Sequence, residues 1–114
     1  GHVLSKMRLM TAQMEAYLAD DLWLKNARHS NAMARKLADG LKALGVEIIG
    51  DVDGNQVFPR LPAPMAEALK AEGFLFYDRG ADDQGRRKTR LVTAFNTPED
   101  DVDAFLATAT MAAV

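Results

Sequence analysis

Between Trp23 and Leu44, apolar and small side chains return at intervals of 4, 3, 4, 3, 4 and 3 residues: Trp23, Ala27, Ser30, Ala34, Leu37, Leu41 and Leu44. That spacing holds all seven on one face of an α-helix, so roughly the second fifth of the chain is committed to one long helix with a buried stripe. Gly45 follows at the place where a left-handed cap ends such a helix. Gly40 lies inside the pattern, where glycine costs about 1 kcal/mol relative to alanine unless packing offsets it. A coiled-coil strand fits the spacing, but the Ala and Ser members point to close packing against a neighbouring element. A core-facing stripe is the reading adopted, and a stripe that docks a partner is the rival.

A second helical pattern precedes it. Leu4, Met7, Thr11, Met14 and Leu18 are spaced 3, 4, 3 and 4, and Ala19-Asp20-Asp21 offers a cap and acidic first turn for the long helix. The chain begins with Gly1-His2 and enters helical pattern almost at once, which reads as the second part of something larger.

Downstream of Gly45 the pattern changes to short strands and two short helices. Val46-Glu47-Ile48-Ile49 reads as a strand closed by the Gly50–Gly54 turn cluster, and Asn55 to Leu61 as a second, with Pro59 confining it to an edge or ending it early. Pro62 and Pro64 open a helix over Met65 to Glu72, with Gly73 as its cap. Phe74 to Tyr77 is a third strand, Asp78 to Lys88 the polar bend of a hairpin, and Thr89 to Phe95 a fourth strand. Thr97 then serves as N-cap of a last helix with Pro98 at its first position and Glu99 and Asp100 facing the helix dipole. Val102, Phe105, Leu106 and Ala109 are its apolar face. The order of helices, β, β, α, β, β, α predicts an α+β fold, a small mostly antiparallel sheet with helices packed on one face.

Composition narrows the chemistry. The 114 residues include no cysteine, which removes thiol nucleophiles, thiolate metal sites and disulfides, and two histidines are too few for a His-rich metal centre. Fourteen Lys+Arg against 16 Asp+Glu leave a formal charge of −2, so no net basic field recruits nucleic acid or anionic lipid. No apolar run approaches the roughly 20 residues that span a bilayer, and Ser5, Lys6 and Arg8 interrupt any signal-peptide pattern at the start. A soluble cytoplasmic domain is expected. There is no glycine-rich phosphate loop, nucleophile elbow or HExxH motif.

Arg90 stands out. Alternation along the fourth strand places Leu91, Thr93 and Phe95 on one face and Arg90, Val92 and Ala94 on the other, so a guanidinium shares a face with Val and Ala. A fixed arginine on a strand binds carboxylate or phosphate through two parallel N–H bonds. The alternative is an exposed strand end after Arg86-Arg87-Lys88, a run that balances Asp82 and Asp83 across the bend. Arg8, in the first helix, is within reach of a phosphate or is simply solvated. His29 falls outside the stripe and is expected on the helix exterior, and the six methionines read as gap-fillers.

Three stretches, in order, resemble the low-specificity L-threonine aldolases. They are His2-Val3-Leu4-Ser5-Lys6-Met7-Arg8 with Thr11-Ala12-Gln13 and Ala16-Tyr17-Leu18; Leu22 through Ala34; and Arg90-Leu91-Val92-Thr93-Ala94-Phe95-Asn96-Thr97 leading into Glu99 to Phe105. The resemblance covers essentially the whole chain and implies the small C-terminal domain of a pyridoxal 5'-phosphate enzyme of the aspartate-aminotransferase fold type. Residues 1–20 would be the helix connecting it to a large domain and residues 21–114 the small domain itself. It further implies cleavage of L-threonine and related β-hydroxy-α-amino acids to glycine and an aldehyde, in a homodimer or homotetramer. Arg8 matches the arginine that reaches the cofactor phosphate, and Arg90 the one that grips the substrate carboxylate. The Schiff-base lysine of the family is not among these residues: Lys6 leads into Met7-Arg8 rather than a glycine turn, so the segment by itself is expected to be inactive. The 78–88 loop is longer and more charged than the compact turn expected before that strand. Another enzyme of the same fold type, a β-eliminating lyase or an aminotransferase, is the alternative within the resemblance, and a helical docking module the alternative outside it.

Overall fold

A computed structural model describes residues 22–52 and 54–113. The expected connecting helix at residues 1–20, with Arg8, lies outside the described residues. The elements are α1 (Leu22–Ala43), β1 (Glu47–Ile48), β2 (Gln56–Val57), β3 (Pro59–Leu61), α2 (Ala63–Ala71), β4 (Tyr77–Ala81), β5 (Arg87–Val92) and α3 (Glu99–Ala112). This is the expected α+β order.

The stripe forms α1 as expected. Ala34, Leu37 and Leu41 are wholly buried, joined by Ala38 and by Met33, and the helix ends at Gly45 with φ of 83°. The Val46 amide there bonds back to the Leu41 carbonyl at 3.0 Å, which satisfies an orphan acceptor of the last turn. Trp23, the first member of the stripe, is 47% exposed. The stripe is therefore spent inside this fold over its central and C-terminal turns and left open at its start.

The sheet is antiparallel throughout the described pairings, and β5 is its axis. β2 and β3 lie along one edge of β5, β4 lies along the other, and β1 pairs with the far side of β3. Three expectations need correction here. Asn55 to Leu61 is not one strand but two pieces in a single register against β5, Val57 opposite Leu91 and Arg60 opposite Lys88, interrupted at Phe58. Pro59 does not sit at an edge, since β3 is paired on both sides; its missing N–H shows instead as that interruption. Phe74 to Phe76 is irregular, and the third strand runs over Tyr77–Ala81, so the supposed loop is mostly hairpin ladder with a bulge between Asp78 and Ala81. The bend is confined to residues 82–86, closed by the Asp82 amide on the Arg86 carbonyl at 2.7 Å.

α3 starts at Glu99, and Thr97 does not cap it: the Thr97 hydroxyl accepts from the Ala94 amide at 2.8 Å, closing the turn after β5. The acidic residues Glu99, Asp100 and Asp101 do occupy the first helical turn. The three helices cover one face of the sheet, where Val57, Leu61 and Leu91 join Met65, Leu69, Val102 and Phe105 in one core. Phe74 meets Phe105 edge to face at 5.2 Å. The opposite face carries Ile49, Phe58 and Tyr77, all at least a third exposed.

Gly40 explains its own place in a helix. A Cβ there would stand 2.6 Å from Leu106 Cδ2, so the bare backbone is what lets α1 and α3 approach. Lys36, one turn earlier, bonds Glu99 at 2.7 Å and Asp103 at 2.6 Å across the same crossing. In urea unfolding, Gly40→Ala should fall short of the roughly 1 kcal/mol that propensity alone promises, and should recover it in a Leu106→Ala background. Equal shifts in both backgrounds would show that Leu106 does not enforce the glycine.

Candidate functional site

A strand paired on both sides has no freedom to rotate, so its alternation is enforced. Along β5, Thr89 and Leu91 are buried toward the helices, while Lys88, Arg90 and Val92 are half-buried on the open face. Arg90 and Val92 share a face as expected. Ala94 does not: the strand ends at Val92, and Ala94 is buried in the turn that follows. That turn is tied to α1. Thr93 Oγ1 donates to the Ser30 carbonyl at 2.6 Å, Asn55 Nδ2 donates to the Thr93 carbonyl at 2.7 Å, and His29 Nε2 donates to the Thr97 carbonyl at 2.6 Å. His29 is thus half-buried and tethered rather than exterior. Nothing in its helical position signalled this, because its partner is 68 residues away.

Arg90 pairs in register with Tyr77 of β4, and its Cζ lies 4.1 Å from the centre of the Tyr77 ring. Its Nε is buried and has no hydrogen-bond partner. Among the described residues no ion pair reaches it. An N–H removed from water and left unpaired costs about 1–3 kcal/mol, so this guanidinium is short of an acceptor.

Four cations around the hairpin, Arg60, Lys70, Arg86 and Arg87, are already committed. Asp82 accepts the Gln84 and Arg86 amides at 2.9 Å, Arg86 Nε at 3.0 Å and Arg60 Nη1 at 3.1 Å. Arg86 also reaches Glu47 at 3.0 Å. Asp78 takes Arg87 Nη2 at 2.9 Å, Lys70 at 2.9 Å and the Gly80 amide at 2.9 Å. The basic run was expected to balance Asp82 and Asp83; Asp82 does so through Arg86, but Arg87 turns to Asp78. Arg60, Arg79 and Lys88 line an open basin of about 340 Å³ with Ile49, Phe58 and Thr89, one step along the same sheet face from Arg90. Arg60 there is paired with Asp82, whereas among the described residues no ion pair reaches Arg79 or Lys88. Among the described residues no group of His, Asp or Glu is placed to hold a metal ion, and no helix is long and apolar enough to cross a membrane.

Burial acts to raise the Asp82 pKa, but the amide and Arg86 hydrogen bonds outweigh it and hold the carboxyl at about 2. For Asp78 the Arg87 bonds dominate over burial, with Lys70 and the Gly80 amide adding to them, and the carboxyl lies well below the usual range. Both folded-state values are depressed, so the stabilisation is present above the ordinary value of 3.8 and is lost as pH falls through about 2 at Asp82. Asp82→Asn should lower the thermal midpoint at pH 7 and flatten its decline between pH 4 and pH 2. An unchanged acid limb would show that this carboxylate does not hold the hairpin bend.

No protein-family model matches the chain. A low-specificity L-threonine aldolase of Pseudomonas aeruginosa is 42% identical over 78 residues, which make up 68% of this chain and 22% of that protein. The solved Leishmania major threonine aldolase superposes with a TM-score of 0.80 and 29% identity, covering 90% of this chain and 30% of that one. A solved SPT structure with PLP shares the fold at a TM-score of 0.62 and 21% identity, over 78% of this chain and 25% of that one. The chain spans less than a third of the length of each of these three proteins. In sequence and in fold, it corresponds to a segment of the low-specificity L-threonine aldolases, an α+β unit of the small-domain type found in fold-type I pyridoxal-phosphate enzymes.

Proposed function

We propose that this chain is the small C-terminal domain of a pyridoxal-phosphate-dependent threonine aldolase and that Arg90 grips the α-carboxylate of the amino-acid substrate. The observation that carries the reading is the buried, unpartnered Nε of Arg90, next to ion pairs that use up Arg60, Arg86 and Arg87. An orphaned guanidinium N–H on a doubly paired strand is matched by a planar anion, and a carboxylate supplies two oxygens at the spacing of its fork. The described residues thus fit the substrate's end of the site. They offer a carboxylate grip rather than a cradle for the cofactor, whose ring and Schiff-base contacts we assign to the large domain of the longer protein.

The reaction is reversible cleavage of a β-hydroxy-α-amino acid to glycine and an aldehyde. Pyridoxal phosphate, when bound, supplies the electron sink for the pair released from the Cα–Cβ bond. Arg90 holds the carboxylate by parallel N–H bonds, which, with the amino nitrogen held at the other end, fixes rotation about the Cα–N bond and so sets the direction in which Cβ leaves. Positioning of this kind accounts for a large part of the barrier an enzyme removes. Lys88, two residues away on the same face, and Arg79 across the basin carry the positive charge there, which favours approach of an anionic substrate. Arg8 is assigned to the cofactor phosphate on the strength of the resemblance, in an enzyme assembled as a homodimer or homotetramer. The docking-module reading keeps only the start of its stripe at Trp23, because Ala34, Leu37 and Leu41 are buried in this fold's own core.

In the full-length enzyme, Arg90→Ala should reduce kcat/KM for L-threonine by about 10- to several-hundred-fold, the effect of losing a charge-assisted bidentate pair. Arg90→Lys keeps the charge and loses the fork, so it should recover only part. Near-parental values in both variants would place the carboxylate site elsewhere. Arg8→Ala should instead release cofactor on dialysis; a variant that retains it like the parent excludes the phosphate role.

A further inference from the structure

We infer that Tyr77 is the positioning residue of this site: its ring, rather than a carboxylate, holds the Arg90 guanidinium ready for the substrate. The inference rests on the proposed role of Arg90. Tyr77 stands directly across from Arg90 in the β4–β5 ladder, so the backbone register itself delivers the ring. The 4.1 Å from Cζ to the ring centre is the contact distance of a cation–π pair. Tyr77 stays 58% exposed, so burial of the ring is not what this contact serves.

The choice of partner has a chemical consequence. A carboxylate beside Arg90 would take the N–H donors that the substrate needs and would have to be displaced at each turnover. An aromatic ring attracts the cation through its quadrupole and leaves the in-plane N–H groups uncommitted. Asp78, the next residue along β4, alternates to the other face opposite Thr89, where its oxygens are taken by Arg87, Lys70 and the Gly80 amide. β4 therefore presents a ring at the register position of Arg90 and spends its carboxylate on Arg87. The flexible arginine stem loses rotamer freedom to the ring before substrate arrives, which lowers the ordering cost of binding.

The test is made in the full-length enzyme with Tyr77→Leu, Tyr77→Ala and Tyr77→Phe, each alone and with Arg90→Ala. Tyr77→Leu and Tyr77→Ala should raise KM for L-threonine and Kd for glycine, the latter by calorimetry, by about 3- to 30-fold, with kcat changed much less. Tyr77→Phe retains the ring and should stay within about two-fold of the parent. In the Arg90→Ala background, Tyr77→Leu should have no further effect. Parental glycine affinity in Tyr77→Leu, a Phe variant as impaired as Leu, or additive effects in the double variant would each overturn the positioning role. If Arg90→Ala itself leaves glycine binding and kcat/KM unchanged, the carboxylate assignment fails first and the role of Tyr77 with it. Should Tyr77→Ala not fold, the Leu and Phe variants decide.

Discussion

Pairing of β5 on both edges is the constraint from which most of this molecule follows. With β2 and β3 on one side and β4 on the other, the strand cannot twist its side chains out of alternation, so Leu91 is fixed in the core and Arg90 on the open face. The same ladder fixes which residue of β4 meets Arg90. Helix α1 then holds the end of the strand from beneath, through Thr93 on Ser30 and His29 on the carbonyl of Thr97. A guanidinium mounted this way has little freedom left to lose, which is what the proposed carboxylate grip requires.

Charge on the hairpin is sorted rather than merely balanced. Asp82 and Asp78 each collect several donors, and between them they consume Arg60, Arg86, Arg87 and Lys70. Such pairs contribute modestly when solvated, but Asp82 and Asp78 are only 4% and 12% exposed and each accepts backbone amides as well. Their effect is to stiffen the bend that joins β4 to β5 while leaving Arg90 without an acid. The loop that looked too long and charged for a compact turn is therefore mostly strand, with Asp78, Asp82, Arg86 and Arg87 internally paired.

Much of the fold was legible because periodicity reports burial. The stripe from Ala27 to Leu41, the left-handed cap at Gly45, the proline-opened α2 and the acidic first turn of α3 were all readable from spacing and residue type. Boundaries were less so. Pro59 looked like an edge residue because proline withholds a donor, yet the sheet absorbs that loss as a break at Phe58 and still flanks β3 on both sides. Thr97 looked like a cap because it precedes Pro98, yet a nearer amide, that of Ala94, claims its hydroxyl.

By itself the sequence determined the α+β order, the buried stripe, the likeness to threonine aldolases and the oddity of an arginine at position 90. Those properties are local, or are carried by residue identity, and need no knowledge of partners. Only the tertiary structure decided that Arg90 is short of an acceptor, that Tyr77 lies against it, that Arg87 turns to Asp78, and that His29 reaches Thr97. Each of these depends on strand register or helix crossing, which bring together residues from 9 to 68 positions apart. Local spacing fixes the face a side chain points to; what stands opposite it is set by the packing of the whole domain.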